Sequence, residues 1–88
     1  MKFDDQYFSR EHWFSLGVEE GTNKHYLSIP VSSGIVDYEE YYEIDQPTFD
    51  RYMQNPSSAV DFAEKCRRQE MDSLLMIPAP TTNRGTAI

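Results

Sequence analysis

Cysteine, long apolar runs and a leader-like N-terminus are all scarce or missing in this chain. The single cysteine, Cys66, cannot form a disulfide within the chain, so a disulfide-stapled secreted scaffold is excluded. No apolar run approaches the roughly 20 residues that a membrane-spanning helix needs. The first residues, MKFDD, have no apolar segment typical of a signal peptide. We therefore expect a cytoplasmic protein.

Basic residues are also scarce. Eight Lys and Arg stand against 15 Asp and Glu, which gives a net charge of −7. Residues 1–45 carry the whole excess, because residues 46–88 have as many bases as acids. Direct binding to nucleic acid or to an anionic membrane needs clustered bases and is therefore disfavoured. A basic protein is the favoured partner, with solubility as the ordinary alternative reason for the charge.

The chain has 88 residues, and we expect residues 1–88 to form one domain with a thin core. Five Phe, six Tyr and one Trp provide large apolar areas from few positions, which favours a folded core. The first nine residues are expected to be either loose or an edge of the sheet. Residues 81–88 are expected to be a loosely ordered polar tail with a turn signal at Asn83-Arg84-Gly85.

Alternating apolar residues predict strands in the first half of the chain. Residues 12–19 alternate with the period of a strand, and a polar loop and a second alternating run at 26–32 complete a β-hairpin. In the first run, one side carries Phe14, Leu16 and Val18. Pro30 cannot donate a ladder hydrogen bond, so it suggests a sheet edge or a bulge.

Residues 35–44 predict a third strand. Its predicted core face carries Val36, Tyr38, Glu40, Tyr42 and Ile44. Glu40 then needs a partner or a place at the sheet rim, because an unpaired buried carboxylate is costly.

Two helices are predicted next. Asp45 is a candidate N-cap for a short helix at 46–54, and Asn55-Pro56 starts a second helix that runs to about Glu70. The apolar residues at helical spacing are Phe49, Tyr52 and Met53 in the first helix and Ala59, Phe62, Ala63 and Cys66 in the second. A short apolar run at 74–77 predicts a last strand. The order β-β-β-α-α-β indicates an α+β fold, a small antiparallel sheet with two helices on one face.

The segment from Asp37 to Asp45 is the most informative for function. It holds five acids and three tyrosines and no base. Strand geometry places Asp37, Glu39, Tyr41 and Glu43 on one face, although acids are poor strand formers and repel each other there. Such a row suits Lys and Arg on a partner protein; the ordinary alternative is a solvated strand face. Trp13 and Tyr26 are secondary binding candidates, because Trp and Tyr are common interface anchors.

Catalytic and metal chemistry have weaker support. The carboxylates at 37, 39 and 43 could serve acid–base or metal chemistry, but no ligand spacing accompanies them. His12 and His25 could pair across the hairpin, yet no oriented nucleophile accompanies them. Cys66 is expected to be a small buried hydrophobe. We therefore predict no catalytic residue, no metal and no cofactor.

Three stretches together resemble the bacterial immunity proteins of contact-dependent and other polymorphic toxin systems. These stretches are REHWFSLG (10–17), KHYLSIPVSSGIVDYEEYYEID (24–45) and FAEKCR (62–67). The resemblance lies in overall style across most of the chain, and no family residue is carried over. It implies tight binding to a cognate toxin domain, often a basic nuclease, at or near its active site.

These observations lead to one main functional hypothesis and several alternatives. The main hypothesis is a small inhibitor that neutralises a toxin through an acidic and aromatic face. The alternatives are a nucleic-acid-mimicking inhibitor of another nuclease, a structural or adaptor subunit, a homodimer formed at a sheet edge, and a small enzyme that uses His12 or His25.

Overall fold

The structure, a computed structural model, describes all 88 residues. Four strands come first: β1 (Phe3–Ser9), β2 (Phe14–Glu19), β3 (Lys24–Ser32) and β4 (Asp37–Ile44). Helix α1 (Gln46–Gln54) follows, then a 3-10 turn (Pro56–Ala59) that leads into helix α2 (Val60–Arg67). A second 3-10 turn (Asp72–Leu74) and a short strand, β5 (Thr86–Ala87), complete the fold. Neither helix has the length and apolar character needed to cross a membrane.

The four long strands form an antiparallel sheet in the order β1-β2-β3-β4, and β5 pairs with β3. The predicted α+β class, an antiparallel sheet with two helices, is confirmed. The element order gains a strand, because the first nine residues contain the edge strand β1. The last strand lies at 86–87 rather than at 74–77, where Leu75 makes only an isolated bridge to Tyr42.

The core lies between one face of the sheet and the helices. Its sheet residues are Phe14, Leu16, Leu27, Ile29, Val31, Tyr42 and Ile44, and its helical residues are Phe49, Tyr52, Ala59, Ala63 and Cys66. The predicted helix start is confirmed, since the Asp45 side chain accepts a hydrogen bond from the Thr48 N–H at 2.9 Å. Cys66 is fully buried, and burial raises its pKa to about 12, so its thiol stays protonated.

Glu40 lies on the core face of β4, and the predicted need for a partner is met by the C-terminal tail. Arg84 Nε lies 2.9 Å from one carboxylate oxygen of Glu40, and the Tyr42 hydroxyl donates to the other at 2.7 Å. Arg84 also pairs with Asp72, at 2.8 Å. The Gly85 N–H donates to the Tyr38 hydroxyl at 2.7 Å. The tail expected to be loosely ordered is therefore held by polar contacts as well as by β5.

Pro30 lies in the inner strand β3, and the edge or bulge that it suggested is not needed. Pairing of β3 with β2 stops at Ser28, and pairing with β5 starts at Val31. Pro30 thus occupies the gap between the two partners, where a missing N–H leaves no ladder bond unmade.

Glu19 ends β2 and organises the turn that follows. Its carboxylate accepts hydrogen bonds from the backbone N–H groups of Lys2, Gly21 and Thr22 at 3.0, 2.8 and 2.9 Å. The bonds from Lys2 and Gly21 contribute most to lowering the pKa of Glu19, which falls to about 2. The ionised form of Glu19 therefore favours the hairpin and the start of β1.

Candidate functional site

The sheet face opposite the helices carries the acidic row that the sequence predicted. Side chains of paired residues in an antiparallel ladder lie on the same face. The ladder pairs Glu43 with Tyr26, Tyr41 with Ser28 and Glu39 with Pro30. We call this surface the acidic–aromatic face. It consists of Phe3, Asp5, Tyr26, Asp37, Glu39, Tyr41 and Glu43.

Three aromatic rings form a small second core on this face. The rings of Phe3 and Tyr41 stack with centroids 3.6 Å apart and planes 9° apart. Both meet the ring of Tyr26 edge-on, with centroid distances of 5.4 and 5.0 Å. In a flat sheet β1 and β4 would lie about 14 Å apart, so the two side chains must lean toward each other over Tyr26.

The stacking also sets the position of Tyr26, a secondary binding candidate. Tyr26 is fully buried beneath Phe3 and Tyr41, so its ring supports the face from below and is not exposed at its surface. Tyr41 is half-buried and keeps part of its ring accessible.

Gly17 makes room for this second core. It pairs with Tyr26 across the β2–β3 ladder, and a Cβ at position 17 would overlap both the Tyr26 ring and the Asp4 carbonyl. The Tyr26 hydroxyl donates to Asp5 at 2.5 Å. Burial and this bond raise the pKa of Tyr26, so it stays protonated. Phe3, Asp5 and Gly17 were not predicted as site residues, and only the apolar Phe3 near the N-terminus hinted at them.

Glu39 is the only carboxylate of the face that is half-buried; Asp5, Asp37 and Glu43 are exposed. No cation pairs with Glu39, and its one side-chain hydrogen bond comes from the Ser28 hydroxyl at 3.2 Å. Burial raises the pKa of Glu39, the Ser28 bond partly offsets this, and the charge of Asp5 raises it further. Burial, followed by the charges of Asp5 and Glu39, also raises the pKa of Tyr41. Ionised Glu39 would therefore gain from an added cation.

The remaining acids of the row are more exposed. Glu43 pairs with Lys24 at 3.4 Å, and both side chains are about half exposed. Asp37 is exposed and makes no side-chain hydrogen bond or ion pair. The row of three acids thus has Lys24 as its only cation partner within the chain.

The alternation had predicted a strand that includes Trp13, but β2 begins at Phe14 and Trp13 lies outside it. It sits in the turn between β1 and β2 with a φ of 55°, where the Arg67 guanidinium donates to its carbonyl at 2.8 Å. Trp13 is 49% exposed, and its ring packs edge-on against Phe8, which is 46% exposed. The ladder places Phe8 beside Ser15, and hence on the sheet face that also carries Tyr41. This exposed aromatic pair therefore borders the acidic–aromatic face.

The two histidines do not pair across the hairpin. His25 lies opposite Val18 and Ile44, with its ring against Phe49, whereas His12 lies in the β1–β2 turn near Glu11. Neither histidine lines a cavity. No three His, Cys, Asp or Glu side chains come together as metal ligands would.

A groove of about 410 Å³ runs along the outer edge of β4. Tyr38, Glu39, Glu40 and Tyr41 form one wall, and residues 77–80 (Ile-Pro-Ala-Pro) form the other. The groove was not predicted, because residues 74–77 were expected to form a last strand of the sheet.

The groups available on this side of the molecule are acceptors and apolar rings. Carboxylates form charge-assisted hydrogen bonds with Lys and Arg, and half-exposed rings provide contact area. No family model, curated protein or solved structure matches the chain.

Proposed function

We propose that this protein is a cytoplasmic inhibitor that binds and neutralises a basic partner protein. The acidic–aromatic face would cover the active site of the partner or a surface next to it. The partner class, a toxin domain such as a nuclease, comes from the resemblance to immunity proteins. The binding proposal depends on one observation: three acids lie on one face of β4, and Lys24 is their only cation partner.

The energetics favour this use of the row. A half-buried carboxylate without a cation weakens the fold of the free protein, as the raised pKa of Glu39 indicates. An Arg or Lys of a partner would relieve that cost and add a charge-assisted bond. The uneven charge would also speed encounter with a basic protein, and added salt would slow it.

The partner is identified first. Tagged protein is exposed to lysate of its own host at low and high salt, and retained proteins are quantified by mass spectrometry. We expect one basic protein to be retained in stoichiometric amount and less of it at high salt.

The site is then tested with a double variant, Glu39→Lys plus Glu43→Lys. We expect affinity for the captured partner to fall at least about a hundredfold, because two attractive charges become repulsive. A matched control, Asp50→Lys plus Asp61→Lys, makes the same charge change at exposed helical positions and should have a much smaller effect. Circular dichroism checks that both variants stay folded. Equal losses in the two variants would show that net charge, and not this face, governs binding.

A further inference from the structure

The outer edge of β4 keeps unpaired backbone groups. The Tyr41 carbonyl accepts a hydrogen bond from the Met76 N–H at 2.9 Å, on the side away from β3. Backbone groups of alternate strand residues point to the same side. Glu39 and Asp37 therefore also direct their N–H and C=O groups away from β3, and no strand of the chain pairs with them there.

The contacts of Pro30, on the neighbouring strand β3, agree with this orientation of the Glu39 backbone groups. Pro30 lies opposite Glu39, and its carbonyl accepts from the Ile88 N–H at 3.2 Å, away from β4. Pro30 and Glu39 thus form a non-hydrogen-bonded pair of the antiparallel ladder, in which neither residue makes a backbone hydrogen bond to the other strand. Loss of the Glu39 N–H would therefore remove no hydrogen bond between β3 and β4.

The groove keeps this edge open. After Met76 the chain turns away from β4 instead of pairing further, and Pro78 and Pro80 have no N–H with which to close the ladder. The space between Tyr38–Tyr41 and residues 77–80 is about 410 Å³. An unpaired edge beside an apolar wall is the geometry of strand addition.

We propose that this groove takes an extended basic segment of the partner, which adds as a strand to β4 at Asp37–Glu39. The inference rests on the proposed function and gives its mode of binding. Charge selects the occupant, because Asp37 and Glu39 flank the open edge and have no cation partner. A second copy of this chain is disfavoured, since two β4 edges would bring their acids together. The fitting segment alternates Lys or Arg with apolar residues that contact Ile77 and the prolines.

Two peptides test the pairing directly. The first is an end-blocked peptide of alternating Lys and Val, and the second has the same sequence with alternate backbone amides methylated. Amide resonances of the ¹⁵N-labelled protein are followed during titration. We expect the first peptide to shift the resonances of 37–41 and of Ile77 and Ala79, and the methylated peptide to bind at least about tenfold more weakly.

Two variants of Glu39 separate the contribution of its backbone N–H to peptide binding from the contribution of its carboxylate. Glu39→Pro removes the outward N–H together with the carboxylate, whereas Glu39→Gln removes only the charge. We expect the proline variant to bind the first peptide about tenfold more weakly than the glutamine variant does. If the proline variant does not fold, the comparison of the two peptides decides.

Several results would overturn strand addition. They are equal binding of the methylated peptide, shifts confined to Phe3, Tyr41 and Glu43, and no shift at all. Any of these leaves the proposed function standing if host lysate yields a basic partner that is sensitive to Glu39→Lys plus Glu43→Lys. Conversely, peptide binding at the groove without any such partner would refute the proposed inhibitor function and would still support strand addition at β4.

Discussion

Two neighbouring glutamates of β4 face opposite sides of the sheet and have opposite surroundings. Glu40, on the core side, is bound by Arg84 and by the Tyr42 hydroxyl. Glu39, on the other side, receives one hydrogen bond from Ser28 and no cation. The chain therefore compensates the charge that lies in its core and leaves the next one uncompensated. Stability explains the first arrangement, and binding to a basic partner is our explanation of the second.

The largest effect is expected from breaking the compensated side with Arg84→Met. The change leaves Glu40 as a buried charge without a cation, and it removes both ion pairs that the tail makes, with Glu40 and with Asp72. We expect the free energy of unfolding to fall by about 3 kcal/mol, as is typical when one partner of a buried pair is removed. Urea denaturation at neutral pH measures the loss.

Arg68→Met is the matched control, because Arg68 pairs with Glu70 while both side chains are about half exposed. Little loss is expected there, since solvent screens such pairs. If both substitutions had the same effect, the Glu40–Arg84 pair would not be what holds the tail.

A smaller loss of unfolding free energy is expected from Gly17→Ala, which disturbs the packing of Phe3, Tyr26 and Tyr41 on the side of the sheet that carries Glu39. The added Cβ would overlap the Tyr26 ring and the Asp4 carbonyl, so the ring or β1 must shift. Overpacking of this kind costs about 2 kcal/mol. Near-ultraviolet circular dichroism should also change, because Tyr26 and Tyr41 would lose their edge-on contact. Gln6→Ala, at an exposed position of β1, is the control, and an equal loss there would refute a special role for Gly17.

Local signals predicted much of the fold. Asp45 with Pro47 located α1 at its observed bounds, and the alternation of Phe14 and Leu16 located β2 and its core face. Such signals depend on neighbours in sequence, so a single chain is enough to read them. In the same way, the alternation along 35–44 correctly placed the acidic row on one face of β4.

Contacts between distant segments could not be read in this way. The sequence indicated that Glu40 needs a partner, but nothing local pointed to Arg84 in the tail. The strand β1 was left undecided because its register shifts between Asp5 and Tyr7, which breaks the alternation. Burial of Tyr26 depends on rings from β1 and β4, and the groove depends on where residues 77–80 leave the sheet.

The smallest effect, and of opposite sign, is expected from Glu39→Gln. Because the fold raises the pKa of Glu39 above its usual 4.5, folding disfavours its ionised form. The wild type therefore loses stability as the pH rises from below 4.5 through the raised pKa, whereas glutamine does not titrate. We expect the variant to be more stable at neutral pH by an amount of the order of 0.5 kcal/mol, and this difference should vanish near pH 3.

Urea denaturation of both proteins at several pH values measures this difference. Glu19 contributes in the opposite direction, because its lowered pKa gives stability that is lost as the pH falls from 4.5 toward 2. That loss is common to wild type and variant and cancels when the two are compared at each pH. A variant that is less stable at neutral pH would mean that Glu39 stabilises the free protein. The carboxylate would then need no partner to explain its place, and the contrast with Glu40 would lose its functional meaning.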